Sequence, residues 1–262
     1  MEKAAAEFEA ALALKPDDAQ IRVEFHRNRG GCCVHRRQWH HAAAEFAKAV
    51  EIRPDDAYLW RFQAVAYFAA EDADAYRQTC TAMLERFGGT EDRLAAANVL
   101  TACVLRDDAL SDMQRLVSLA RVSDPNWHWG AGVRGAALYR AGRYDECAAF
   151  FEKAAKTYRP RAWDWCFKAM AQHRLGRAAE ARQSLTEARR WIDAASRHSG
   201  DDPSGTQPVW GGWHEPVVAR LLVEEAEELL KKKSEVGNRK VEFGSEKSEL
   251  GASGVKVLTS EL

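Results

Sequence analysis

Residues 4–19, AAAEFEAALALKPDDA, return almost unchanged at residues 42–57 as AAAEFAKAVEIRPDDA, with ten of sixteen positions identical. A chain that repeats itself at this range is built from stacked supersecondary units rather than around one central core. Each copy sets an Ala, a large apolar residue four positions on, an Ala three later and a Pro five after that. Ala4, Phe8, Ala11 and Pro16 fill the frame once, and Ala42, Phe46, Ala49 and Pro54 fill it again. Intervals of four and three place side chains on one face of a helix. The small Ala admits a neighbouring helix, while Pro followed by two Asp ends one helix and caps the next.

The frame continues through Tyr76, Cys80 and Met83, then Met113, Val117, Ala120 and Pro125. Cys147, Phe151 and Ala154 follow, and Ala181, Leu185 and Ala188 come last. The second-Ala position therefore falls at residues 11, 49, 83, 120, 154 and 188, with gaps of 38, 34, 37, 34 and 34. A period of 34 with insertions of 4 and 3 accounts for all five gaps. The helices that precede these carry a second signature. Trp60, Ala64 and Tyr67 form it once, and Gly135, Leu138, Gly142, Tyr144 and Cys147 form it again. Trp165, Ala169, Gly176, Ala181 and Leu185 give a third copy, with a more degenerate one at Gly30, Cys33 and Trp39.

This pattern resembles the tetratricopeptide repeat (TPR), a 34-residue helix–turn–helix unit, over residues 2–193. RRQWHHAAAEFAKAVEIRPDDAYLW, RGAALYRAGRYDECAAFFEKA and DWCFKAMAQHRLGRAAEAR are also similar to repeat regions of planctomycete-type bacterial proteins. In those proteins such repeats often follow a serine/threonine protein kinase domain or WD-repeats. This sequence holds no HRD loop, DFG triplet or paired β3 lysine. The resemblance implies an all-α fold, a right-handed superhelical solenoid of TPR helix–turn–helix repeats with a C-terminal capping helix.

Residues 1–18 read as the second helix of a repeat whose first helix is absent, and two explanations stay open. Further repeats or a kinase domain precede it in a longer parent chain, or the helix docks as a half-repeat cap. Residues 19–193 read as an array of about five repeats. Residues 194–214 are rich in Gly, Pro and Ser and read as a loop. Residues 215–233 form an amphipathic capping helix, with Val218, Leu221, Leu222, Ala226, Leu229 and Leu230 on its apolar face and Pro216 in its first turn. The polar tail at 234–262 is expected to be disordered.

Charge and cysteine narrow the function classes. Lys plus Arg number 38 against 39 Asp plus Glu, so no surplus of cations is present to displace counterions from a nucleic acid. No apolar run reaches the roughly 20 residues of a membrane span, and the N-terminus has no secretory layout. A cytoplasmic location is the expectation. The six cysteines include no CxxC pair and lie mostly in apolar periodic segments, so reduced, buried thiols are expected.

Three features invite a chemical reading. Gly130, Gly132 and Gly135 spell GxGxxG, but no strand precedes them and Gly135 already serves as a repeat's small packing residue. No nucleotide cofactor is expected. Residues 26–41, HRNRGGCCVHRRQWHH, hold four His, four Arg, two Cys and no acid. The spacing lacks the paired ligands of a zinc site. A solvated turn is the favoured reading, ahead of a basic patch for an acidic peptide or phosphate.

The tryptophans and their neighbours say more. In the repeat family the inner faces of the first helices line a concave groove. Carried onto this sequence, that face holds Arg27, Tyr58, Arg61, Phe62, Asn98, Trp129, Tyr139, Trp163, Phe167 and Met170. Such a mixture suits a protein or peptide ligand, since Trp, Tyr and Arg dominate binding hot spots. Alternatively, Trp129 and Trp163 seal adjacent repeats or lie under the capping helix. The carboxylate-clamp subset of the family is not matched, because Arg27 and Arg61 occupy related places without the paired Asn. No nucleophile–base pair stands out. The expectation is a non-catalytic interaction scaffold without cofactor or metal, with a recruiting region of a kinase as the alternative.

Overall fold

The structure, a computed structural model, describes residues 2–122, 128–197 and 212–232. Twelve helices and no strand occur among the described residues. They are α1 (Glu2–Leu14), α2 (Ala19–His35), α3 (Trp39–Ile52), α4 (Ala57–Ala69), α5 (Ala73–Phe87) and α6 (Arg93–Cys103). After these come α7 (Gln114–Leu119), α8 (His128–Arg140), α9 (Tyr144–Ala154), α10 (Ala162–Arg174), α11 (Ala178–Arg197) and α12 (His214–Lys231). The side chains of residues 2–6, 8 and 128–131 lie outside the described set, as do residues 198–211 of the expected loop and the whole tail from 233.

From α2 to α11 the helices pair in sequence as hairpins, and from α4 onward each even-numbered helix also packs on the hairpin before it. The sequence writes the starts of these helices with Asp. The second Asp of each Pro-Asp-Asp is an N-cap: Asp18 accepts from the backbone N–H of Gln20 and Ile21, and Asp56 from Tyr58. Asp72 and Asp92 cap α5 and α6 in the same way. Each cap satisfies backbone donors that have no partner inside the helix.

The turns inside four hairpins share one geometry. Arg37, Glu71, Gly142 and Gly176 adopt φ of 55°, 58°, 75° and 78°. The following residue's N–H closes onto a carbonyl five positions back: Gln38 onto Cys33, Asp72 onto Tyr67, Arg143 onto Leu138 and Arg177 onto Gln172. This is the Schellman closure, which favours glycine at its left-handed residue. Arg37 and Glu71 carry a Cβ there. Glu71→Gly is therefore expected to raise stability by about 0.5–1 kcal/mol in a denaturant melt, through relief of left-handed strain.

Close helix approach explains other glycines. A Cβ on Gly135 would lie 2.2 Å from the Phe151 ring, and one on Gly30 would lie 2.5 Å from the Phe46 ring. Both phenylalanines are buried at the large-apolar position of the repeat frame. Gly132 faces the Asp164 carboxylate at 2.5 Å by the same measure. Gly132 and Gly135 are thus packing residues of α8. Gly135→Ala is expected to cost about 1–3 kcal/mol by overpacking, read as a lowered denaturation midpoint.

The third hairpin is the irregular one. After α6 the chain runs through Val104, Leu105 and Ala109, all buried, before the six-residue α7 begins. Cys80, Cys103, Cys147 and Cys166 are buried free thiols. The main core runs from α4 through α11 and takes in Val218, Leu222, Val223 and Ala226 of α12.

Candidate functional site

The first helices α4, α6, α8 and α10 pack one on the next as a continuous wall, and α12 lies against it. α12 packs on α10 and α11 and reaches back to α4. Three groups of contacts hold it.

At the N-terminal end, the Trp213 ring stacks on Phe46, with centroids 5.9 Å apart and planes 7° from parallel, and tilts against Phe62 at 5.5 Å. His214 sits beside Trp213 and Phe62. Glu215 pairs with Arg161, whose guanidinium lies over the Trp191 ring at 5.5 Å. Arg61 lies over the Tyr58 and Phe62 rings at 4.8 and 5.3 Å. Burial lowers the Arg61 pKa to about 10, with Tyr58 and Glu215 acting the other way. His214 is pushed down to about 3 by burial and by the positive charges of Arg61 and Arg161. It is neutral, and its Nδ1 has no hydrogen-bond partner.

Mid-helix, Arg140 at the end of α8 is the central polar group. Its side chain is 1% exposed. Nε donates to the Val104 carbonyl at 2.7 Å and Nη2 to the Leu105 carbonyl at 2.9 Å. Both terminal nitrogens donate to Glu225 of α12, at 2.5 and 2.7 Å. The guanidinium also lies over Tyr139 at 5.4 Å and Phe167 at 5.2 Å. Farther along, Arg189 of α11 pairs with Glu227 at 2.7 Å. Apolar contacts fill the intervals, with Val218 and Leu222 fully buried. Beside α12 a cleft of about 740 Å³ remains open, lined by Phe68, Leu105, Tyr139, Tyr144, Leu221 and Leu229 among others.

No family model matches the chain, and no curated protein matches it. Among solved structures it is similar to a tetratricopeptide repeat protein from Parabacteroides merdae, 11% identical, at a TM-score of 0.51. That match covers 88% of this chain and 78% of the other. It is also similar to yeast Tom70, 16% identical at a TM-score of 0.44, covering 92% of this chain and 47% of that one. The fold is the TPR solenoid. At such identity the likeness speaks for architecture alone.

The residues expected to line a groove fall into separate places on this solenoid. Arg61 and Phe62 are buried at the Trp213 end, with Tyr58 at its rim. Tyr139 and Phe167 flank Arg140, while Trp163 and Met170 share the main core with the apolar face of α12. Two stand apart. Asn98 donates to the Leu94 carbonyl of its own helix, and Arg27 pairs with Glu24. Trp129 belongs to α8, but its side chain lies outside the described residues.

The basic stretch at 26–41 is divided between α2, its turn and α3. His26, Arg29 and Lys48 gather round the buried Glu45, at 2.8, 3.9 and 2.9 Å. His40 faces Asp72 at 3.4 Å. Among the described residues, no three His, Cys, Asp or Glu side chains gather as a metal site, and no helix is long and apolar enough to cross a membrane.

Sequence reasoning missed Trp213, His214, Arg140 and Arg161. Trp213 was visible as an aromatic just ahead of the amphipathic helix, but its partners Phe46 and Phe62 lie far away in sequence.

Proposed function

We propose that this protein is a protein-interaction scaffold whose inner wall binds a helical segment of a partner protein. The observation that carries this reading is α12 itself, seated on the wall through an aromatic anchor, an apolar stripe and three Arg–Glu pairs. A surface that accepts a helix in this way has the ingredients of helix-in-groove recognition.

The test uses the full chain with Leu222→Asp, which places a carboxylate in the buried seam and unseats α12. Proteins captured by this variant from the native host are expected to be released by a synthetic peptide of residues 212–232. Capture that the peptide leaves untouched would put the binding surface elsewhere and remove the reading.

A further inference from the structure

α12 is an imperfect ligand for the wall it occupies, and the imperfection is localised. Its carboxylates Glu215, Glu225 and Glu227 each meet an arginine, and Val218, Leu222 and Ala226 are buried between them. Trp213 fills the aromatic corner made by Phe46 and Phe62. His214 alone is out of place. It is 7% exposed, its Nδ1 meets no hydrogen-bond partner, and the guanidiniums of Arg61 and Arg161 both oppose its taking a charge. A buried polar atom left unbonded carries the full desolvation cost of that group. The corner therefore holds an unbonded neutral ring beside two guanidiniums, of which Glu215 already pairs with that of Arg161.

We propose that the wall receives, in place of α12, an acidic amphipathic helix of a partner protein that opens with an aromatic residue followed directly by a carboxylate. This deepens the scaffold reading and rests on it. The aromatic residue would take the Trp213 corner, and the carboxylate would take the His214 position facing Arg61 and Arg161. Later carboxylates would replace Glu215 on Arg161, Glu225 on Arg140 and Glu227 on Arg189.

The defect at position 214 has a competitive meaning. A helix on the same chain is present at an effective concentration on the order of millimolar. An outside helix at micromolar concentration must therefore bind roughly a thousandfold more tightly to displace it. Hydrogen bonds to charged groups are about twice as strong as neutral ones. A carboxylate at position 214, where α12 leaves a buried polar atom unbonded, is the substitution that narrows this gap most directly.

Two peptides test the proposal: residues 212–232 as they stand, and the same peptide with His214→Glu. Each is titrated by calorimetry into the full chain carrying Leu222→Asp, whose helicity is checked first. The Glu peptide is expected to bind about tenfold more tightly or better. Equal or weaker binding of the Glu peptide, with the native peptide bound, overturns the partner chemistry and leaves the scaffold reading standing. Failure of both peptides to bind a folded Leu222→Asp chain overturns the scaffold reading itself.

A second measurement stands independently of that variant's folding. In the otherwise unaltered chain, His214→Glu should increase hydrogen-exchange protection across 214–231 by about tenfold through the same added bonds. Unchanged or reduced protection there overturns the proposal.

Discussion

Arg140→Ala is expected to lower the stability of the chain by about 3–5 kcal/mol, the range seen when one partner of a buried ion pair is removed. The loss has three sources. Val104 and Leu105 lose the donors that satisfy their carbonyls in the irregular segment after α6. Glu225 loses its counter-charge, and Tyr139 and Phe167 lose the guanidinium packed over them. Glu225→Gln separates these contributions. It keeps a hydrogen-bond acceptor on a residue whose side chain is one-third exposed and leaves the two carbonyl bonds intact. That variant is expected to cost about 1–2 kcal/mol. Urea melts of both variants give the comparison, and an Arg140→Ala loss no larger than that of Glu225→Gln would assign Arg140 to the pair alone.

The second large effect is a pH dependence in which two groups oppose each other. His214 has a pKa of about 3 in the folded chain against an ordinary 6.5, because burial and the charges of Arg61 and Arg161 disfavour its protonation. Between those values the unfolded chain binds a proton that the folded chain does not. Its contribution is fully present above pH 6.5 and is lost as pH falls toward 3.

Asp164 behaves in the opposite sense. Burial lifts it from 3.8 to about 7, against the pull of the Arg161 backbone N–H, 2.8 Å from its carboxylate. Its contribution is present below pH 3.8 and is lost as pH rises toward 7. From pH 3.8 to 6.5 the two slopes run against each other, each at most about 1.4 kcal/mol per pH unit. Calorimetric scans from pH 4 to 7 should therefore split the variants. His214→Phe is expected to gain stability as the solution is acidified, and Asp164→Asn is expected to lose it. Parallel behaviour of the two variants would show that neither group controls stability in that window.

Much of the architecture was legible because it is local. Pro-Asp-Asp predicts a helix end and a cap, and Asp18 and Asp56 accept the expected backbone N–H groups. Ala, Phe and Ala at helical spacing predict a packing face, and Ala42, Phe46 and Ala49 are all fully buried. The destination of α12 was not legible in the same way. Val218, Leu222 and Ala226 announce that one face is buried, but a helical period carries no information about which surface covers it. The pairing of Arg140 with Glu225 and the seating of Trp213 on Phe46 join residues that no local pattern connects. The third hairpin departs from its frame for a non-local reason. Its carbonyls at Val104 and Leu105 are satisfied by a side chain from the next repeat.

In an open solenoid each unit leans only on its neighbours, so unfolding begins at either end and travels inward. Here α12 touches α10, α11 and α4, and this clasp ties the last hairpin to one near the start. A line of repeats becomes a closed circuit, and no intermediate hairpin can open outward while the circuit holds. The amides of α4 and α10 should then exchange with solvent through one shared opening event rather than in order of distance from the chain ends. The same closure couples distant walls mechanically, so a partner that lifts α12 would loosen both sides of the ring at once.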